Sequence, residues 1–121
     1  MKLPARIDTG SDVCSLDARE LKIDKEWAEF KLPEAYGGLR LRLPVIRWRV
    51  VRSANSHKKR PVVEVKLLLG PRQLRAEVNL EDRSKVKYPM LIGRNVLRQG
   101  FVVDPSKANI APPQIRGGRA P

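Results

Sequence analysis

An all-β fold is predicted by three features of this 121-residue sequence. Its apolar residues fall mostly in short runs that alternate with polar ones, the period of a half-buried strand. Proline and glycine punctuate those runs, at Pro33, Pro44 and Gly70-Pro71. Helical readings are confined to two short segments. Short strands at close spacing argue for a barrel or a sandwich, and the length fits one domain with one core.

The elements follow in order along the chain. Leu3–Ile7 is a short apolar-rich strand that stops at Asp8-Thr9-Gly10-Ser11. Asp17–Ile23 is the first helical candidate. Trp27–Leu32 alternates and ends at Pro33. Leu39–Leu43 alternates strictly. Val45–Val51 continues after Pro44, with Ile46, Trp48 and Val50 on one face. Val62–Leu69 and Leu74–Leu80 flank the turn Gly70-Pro71-Arg72-Gln73 and make a hairpin. Tyr88–Ile92 and Phe101–Val103 read as short buried strands. Asn95–Gln99 reads as a helix ended by Gly100. Trp27, Trp48 and Phe101 are expected in the core. Residues 105–121 hold four of the ten prolines, two glycines and three basic residues. They read as a flexible tail, which leaves 1–104 as the folded domain.

Composition narrows the function. Apolar residues make up 41% and charged residues 31%, an ordinary foldable balance. No apolar run reaches the roughly 18–20 residues that span a bilayer. The start, Met1-Lys2-Leu3-Pro4-Ala5-Arg6, lacks the apolar stretch of a secretory leader, so a cytoplasmic location is expected. Cys14 is the single cysteine and His57 the single histidine, so an internal disulfide and a multi-cysteine or His-Glu-x-x-His metal site are excluded. No metal and no cofactor is expected. The formal charge of +12 points to an anionic partner, whether nucleic acid, an acidic membrane surface or an acidic peptide. No lipidation signal supports a membrane anchor.

Chemistry is carried first by Asp8-Thr9-Gly10-Ser11. A carboxylate at a strand end, a hydroxyl residue and a glycine that lets the backbone turn tightly are what an aspartic-protease loop requires. Asp-Thr-Gly is also ordinary turn chemistry, and alone it decides nothing. A second element lies some eighty residues on, in Tyr88-Pro89-Met90-Leu91-Ile92-Gly93-Arg94-Asn95-Val96-Leu97.

An apolar pair, Gly-Arg-Asn and a short helix resemble the C-terminal signature of the retropepsins, with the active loop near the N-terminus and hairpins between. The chain is still more similar to a bacterial family of retropepsin-like peptidases associated with ATP-grasp glutamate ligases. Those peptidases are often labelled ATP-dependent zinc proteases. The similarity runs over residues 3–105. It includes Arg49, Val51 and Arg52-Ser53; Leu67 and Leu69-Gly70; Glu77-Val78-Asn79-Leu80; Met90-Leu91-Ile92-Gly93-Arg94; and Phe101, Val103-Asp104-Pro105. Seven residues precede Asp8, fewer than is usual in that family. The zinc label has no ligand set here to rest on.

The resemblance implies a closed retropepsin-like β-barrel with one short C-terminal helix, active as a homodimer. Aspartic catalysis uses two carboxylates sharing one proton, and this chain supplies one Asp-Thr-Gly. The implied catalytic residue is therefore Asp8 from each of two copies. Asp104 lacks the Thr-Gly context and reads as a cap on the last strand. By the same resemblance Thr9 grips the opposite loop and Gly10 offers its carbonyl to the peptide. Ser11 either donates to the Asp8 carboxylate or is a plain turn residue. Asp12 and Arg94 form a bidentate pair that braces the loop. Cys14 is expected to be a buried, small apolar residue. A flap lies between the strands 45–52 and 61–69, with Ser53-Ala54-Asn55-Ser56-His57-Lys58-Lys59-Arg60 as a basic loop at its tip. From it Ser53, Asn55, His57, Lys58, Lys59 and Arg60 would contact an acidic substrate, such as a run of glutamates. A functional link to a glutamate ligase follows.

Two other readings compete. One is a non-catalytic basic β module for an anionic partner, built on Arg40, Arg42, Arg47, Arg49 and Arg52. With six aromatics in the chain, a single-strand nucleic-acid binder is disfavoured, and so nucleic acid is not the expected partner. The other is a catalytically silent regulator of the ligase.

Overall fold

The computed structural model describes residues 2–53, 56–104 and 106. Alternation builds the longest hairpin. Strands β7 (Ser56–Leu69) and β8 (Arg72–Glu81) pair antiparallel from Val62 opposite Asn79 to Leu69 opposite Arg72. Gly70 turns between them with φ of 59°, a conformation a side chain would strain. In β8 the residues Leu74, Ala76, Val78 and Leu80 point inward and are buried. Strand β6 (Arg47–Ser53) adds to the other edge of β7.

The other half of this sheet is assembled from distant parts of the chain. Strands β1 (Ala5–Ile7), β9 (Met90–Ile92) and β2 (Cys14–Asp17) complete the order β1-β9-β2-β8-β7-β6. Strand β1 runs parallel to β9, and β2 parallel to β8, while β9 and β2 are antiparallel. All four residues of β2 are buried, as befits a strand covered on both faces. A second sheet, β3 (Arg19–Asp24), β4 (Trp27–Lys31) and β5 (Arg40–Pro44), is an antiparallel meander. Its inward Ala28 and Phe30, with Leu32 just beyond, join Leu16, Val63, Val78, Leu80, Ile92 and Val96 in one core. Helix α1 (Arg94–Leu97) closes one end. Among the described residues no helix is long and apolar enough to cross a membrane.

Several expectations are corrected. The fold is all-β with one short helix, but neither sheet closes into a barrel: β1 and β6 end the long sheet without meeting. The chain crosses instead from β5 in one sheet to β6 in the other. Asp17–Ile23 is not a helix. Asp17 ends β2, Ala18 links the two sheets, and Arg19 onward is β3, where a register shift between Arg19 and Lys22 and a left-handed Glu20 disguise the alternation. Phe101–Val103 forms no strand, and Val102 is 93% exposed. Phe101 does pack against the core, under the Arg72 guanidinium 4.6 Å from its ring centroid. Trp27 and Trp48 are not core residues, at 38% and 47% exposed. Arg42 lies over the Trp27 ring at 4.2 Å. The expected tail falls, Ser106 apart, outside the described residues.

One end of β2 holds buried charge. The Asp17 carboxylate accepts from Arg19 Nε and Nη2 at 2.8 and 2.9 Å and from the Arg83 backbone N–H at 2.9 Å. Its partner in register, Glu81, pairs with Arg83 at 2.8 Å and with Arg60. Buried carboxylates persist only when so satisfied. Substituting Asp17→Ala should therefore lower the unfolding free energy by about 2–3 kcal/mol in urea denaturation. Arg19→Ala should cost less, because Arg19 reaches solvent.

Candidate active site

Strand β1 delivers Asp8 to the end of the parallel β1–β9 pair, where its backbone N–H donates to Ile92 O at 2.9 Å. The chain then arches over the end of β9 to reach β2 on the other side. Within the arch the Ser11 N–H donates to Asp8 O at 3.2 Å, and the Gly10 N–H donates to Asp8 Oδ1 at 3.0 Å. Asp8 is half-buried, while Thr9 and Gly10 are exposed. Among the described residues, Gly10 is the one hydrogen-bond donor to this carboxylate.

The arch lies directly on Gly93. A Cβ there would sit 2.7 Å from Val13 C, 2.8 Å from Val13 O and 2.9 Å from Ser11 O, all backbone atoms. Helix α1 begins at this contact. Its first N–H groups have no partner within the helix. Those of Arg94 and Asn95 donate instead to Ser11 O at 2.8 Å and Asp12 O at 3.1 Å. The Asn95 side chain completes the clamp. Its Oδ1 accepts from the Cys14 N–H at 3.0 Å, and its Nδ2 donates to Glu77 O at 2.9 Å. Cys14 is fully buried, its sulfur between the Gly93 N–H and Asn95 Oδ1 at 3.3 Å each. Burial pushes its thiol pKa up, as suits a packing residue more than a nucleophile.

The bracing pair is not the expected one. Asp12 Oδ1 receives Arg49 Nη2, from β6, at 2.6 Å, while Arg94 Nη1 donates to Thr9 O at 3.2 Å. Arg49 holds the Asp12 carboxyl below its usual value of 3.8, chiefly through that hydrogen bond, and Arg94 adds a smaller attraction. Ser11 takes the turn role, its hydroxyl donating to Val13 O at 3.3 Å. Asp104 caps no strand. Its carboxylate accepts from the N–H and hydroxyl of Ser106, which lowers its pKa.

The segment expected to be a flap is a strand hairpin, with pairing between β6 and β7 continuing to Ser53 opposite Ser56. His57, Lys58 and Lys59 are therefore strand residues, exposed, opposite Arg52, Val51 and Val50. Arg60 is not part of a free tip, because Glu81 holds it. Asn55 lies outside the described residues. Arg49, Asn95 and Gly93 were missed as site residues. Gly93 and Asn95 stand in the Gly-Arg-Asn signature and were legible there, whereas Arg49 stands in a family-like run and in the arginine stripe, neither of which points to Asp12. The arginine stripe of the basic-module reading is largely neutralised. Arg40 pairs with Glu20, Arg42 with Glu29, Arg47 with Glu77 and Arg49 with Asp12, at 3.1, 3.2, 2.8 and 2.6 Å. Among the described residues no three His, Cys, Asp or Glu side chains gather as a metal site would need.

The sequence of residues 1–114 matches the RimB-like family, described as "Retropepsin-like aspartic endopeptidase RimB". The chain belongs to this family. The fold is similar to that of a crystal structure from Legionella pneumophila, of a protein described as of unknown function. The two agree with a TM-score of 0.71 and 29% identity, over 87% of this chain and 81% of that one. Curated relatives are longer. A "probable alpha-L-glutamate ligase" of Shewanella halifaxensis is 31% identical over 115 residues, which is 88% of this chain and 25% of the relative. One of the same name from Desulfotalea psychrophila is 24% identical over 86% of this chain and 24% of its own length. This RimB-like chain thus spans about a quarter of the curated relatives it matches.

Two outcomes follow for the loop. Gly93→Ala should destabilise the protein by about 1–3 kcal/mol in chemical denaturation, because backbone atoms cannot move aside for the methyl group. Asp12→Asn should cost less than about 1 kcal/mol, since the pair with Arg49 is partly exposed. Its pKa is depressed on folding, so its contribution is present above about pH 4 and is lost as pH falls through the folded value. Melting temperatures of the variant and the wild type should differ at neutral pH and converge in acid.

Proposed function

We propose that the protein is an aspartic peptidase that works as a homodimer, with Asp8 of each copy on the two-fold axis, and that it cuts acidic, glutamate-rich peptides. The observation that carries this reading is the held carboxylate. Asp8 sits at the mouth of an arch fixed by Gly93 and by the N–H groups of α1, with Gly10 donating to one oxygen. One such loop per chain supplies one carboxylate, and a second copy supplies the other. Two carboxylates about 3 Å apart share one proton. The ionised one takes a proton from water as that water attacks the scissile carbonyl. The protonated one donates to the carbonyl oxygen, where negative charge develops. Thr9, exposed beside Asp8, would grip the opposite loop of the second copy.

Substrate charge is argued from what remains unpaired. Down the hairpin, Arg47, Arg49 and Arg60 are committed to Glu77, Asp12 and Glu81. Farther out, Arg52, His57, Lys58 and Lys59 have no carboxylate partner among the described residues, so the free positive charge gathers at the distal end. The curated relatives support the glutamate assignment. In each, a region like this one is part of a longer chain named a glutamate ligase, which favours a functional link to such a ligase in the cytoplasm. The neutralised arginine stripe counts against the basic binding module.

The test is mass spectrometry of poly-α-glutamate and glutamine-rich peptides after incubation with the protein. Asp8→Asn should reduce hydrolysis roughly 10²–10⁴-fold while leaving dimerisation intact. Turnover retained by that variant would overturn the peptidase reading. Lys58→Glu with Lys59→Glu should raise KM more than it lowers kcat. Added salt should act in the same direction, screening charges beyond about 8 Å at physiological strength.

A further inference from the structure

Four strands end a sheet in this molecule: β1 and β6 in the long sheet, β3 and β5 in the short one. An open edge is a template for a foreign strand, and folded proteins usually blunt it. Three of the four are blunted. Strand β1 has only three residues. Strand β3 is interrupted by its register shift and by Glu20 at φ of 53°. Strand β5 ends in Pro44, and its Arg40 and Arg42 are bound to Glu20 and Glu29. Strand β6 differs. It runs seven residues without proline, in unbroken register with β7 from Arg47 opposite Val62 to Ser53 opposite Ser56. In an antiparallel ladder, half of its backbone groups turn away from β7.

The side chains state what would pair there. Ile46, Trp48 and Val50 alternate along one face and are 45%, 47% and 48% exposed. Toward the distal end the same face turns cationic. Lys59 stands opposite Val50, and His57 opposite Arg52, all exposed but for the half-exposed Val50 already named. The other face of β6 is occupied, because Arg47 and Arg49 hold Glu77 and Asp12. Neither β6 nor the adjoining residues 56–60 contain a carboxylate.

We propose that β6 is a docking edge for an extended segment of a partner protein. That segment carries apolar or aromatic side chains at alternate positions, and acidic ones where it meets Arg52, Lys59 and His57. Backbone hydrogen bonds along the edge supply the affinity, and the apolar stripe and cationic end supply the selection. A second copy of this chain fits less well, because two β6 strands side by side would bring six arginines onto adjoining strands. The edge does not include Asp8, but it touches the arch through Arg49 and Asp12 and shares Arg52, His57 and Lys59 with the surface offered above to the substrate, so the protection of residues 8–13 is what separates the two readings.

The experiment uses the full chain carrying Asp8→Asn, so that no bound peptide is cut. The probe is a fluorescein-labelled peptide about eight residues long to match the edge, with valine at two alternate positions, glutamate at the next two positions of the same alternation, and serine between, so that valines and glutamates share one face. Anisotropy should show saturable binding, weakened at least about tenfold by Trp48→Ala with Arg52→Glu. Lys59→Glu alone, at an exposed position, should act in the same direction. The same peptide methylated on alternate backbone nitrogens should not bind. Hydrogen exchange should slow in β6 and stay unchanged in residues 8–13. Undiminished binding by the variants would overturn the proposal. So would protection confined to residues 8–13, which would place the peptide in the catalytic cleft. Protection of β6 without any peptide, rising with protein concentration, would assign the edge to a second copy and equally overturn it.

Discussion

The backbone of the Asp8 arch rests on a residue with no side chain, and the rest of the candidate site depends on that contact. Ser11 and Val13 pass so close over Gly93 that a methyl group would overlap their backbone atoms. Because they pass so close, the first N–H groups of α1 reach the arch carbonyls, and the Asn95 amide can span from β2 to β8. The short helix is thus less an element of the core than a clamp, with Val96 as its buried foot. Asp8 gains a fixed direction at the end of a strand, with no cationic side chain bonded to its carboxylate among the described residues.

Electrostatics in this basic chain divides into committed and uncommitted charge. Near the body, arginines are spent on carboxylates of other strands, and these pairs fix where the β6–β7 hairpin sits. At the hairpin's far end the cations face water. The separation explains how a net charge of +12 coexists with a compact sheet: repulsion is relieved where strands pack and kept where a ligand would arrive.

Local signals carried much of this architecture and long-range ones did not. The alternation in 27–32, 39–43 and 74–80, the apolar run 62–69 and the Gly70-Pro71 turn gave four strands and a hairpin, because each pattern is complete within a few residues. Asp17–Ile23 misled because its apolar positions are set by a bulge and by two different sheets. The run 101–103 looks buried by composition, but only Phe101 has something to pack on. Trp48 looked like core because aromatic bulk usually is; its strand turned out to end a sheet. In the site, Asp8, Gly10 and the Gly-Arg-Asn element were legible as motifs. The partner of Asp12 was not, since it depends on how a hairpin 37 residues away lies over the loop.

The interleaving of β1, β9, β2 and β8 also sets an order of events during folding. Hairpins such as β7–β8 close between neighbours and form early. The β1–β9 pair joins residues about 85 positions apart, and β2–β8 joins residues 64 apart, as Ala5 with Met90 and Ser15 with Asn79 show. Such closures come late because they must overcome the entropy of a long loop. The Asp8 arch has nothing to lie on until β9 and α1 are in place. A nascent or partly unfolded chain therefore carries the Asp-Thr-Gly sequence but not the geometry of its arch, and the arch is the last part of the molecule to take shape.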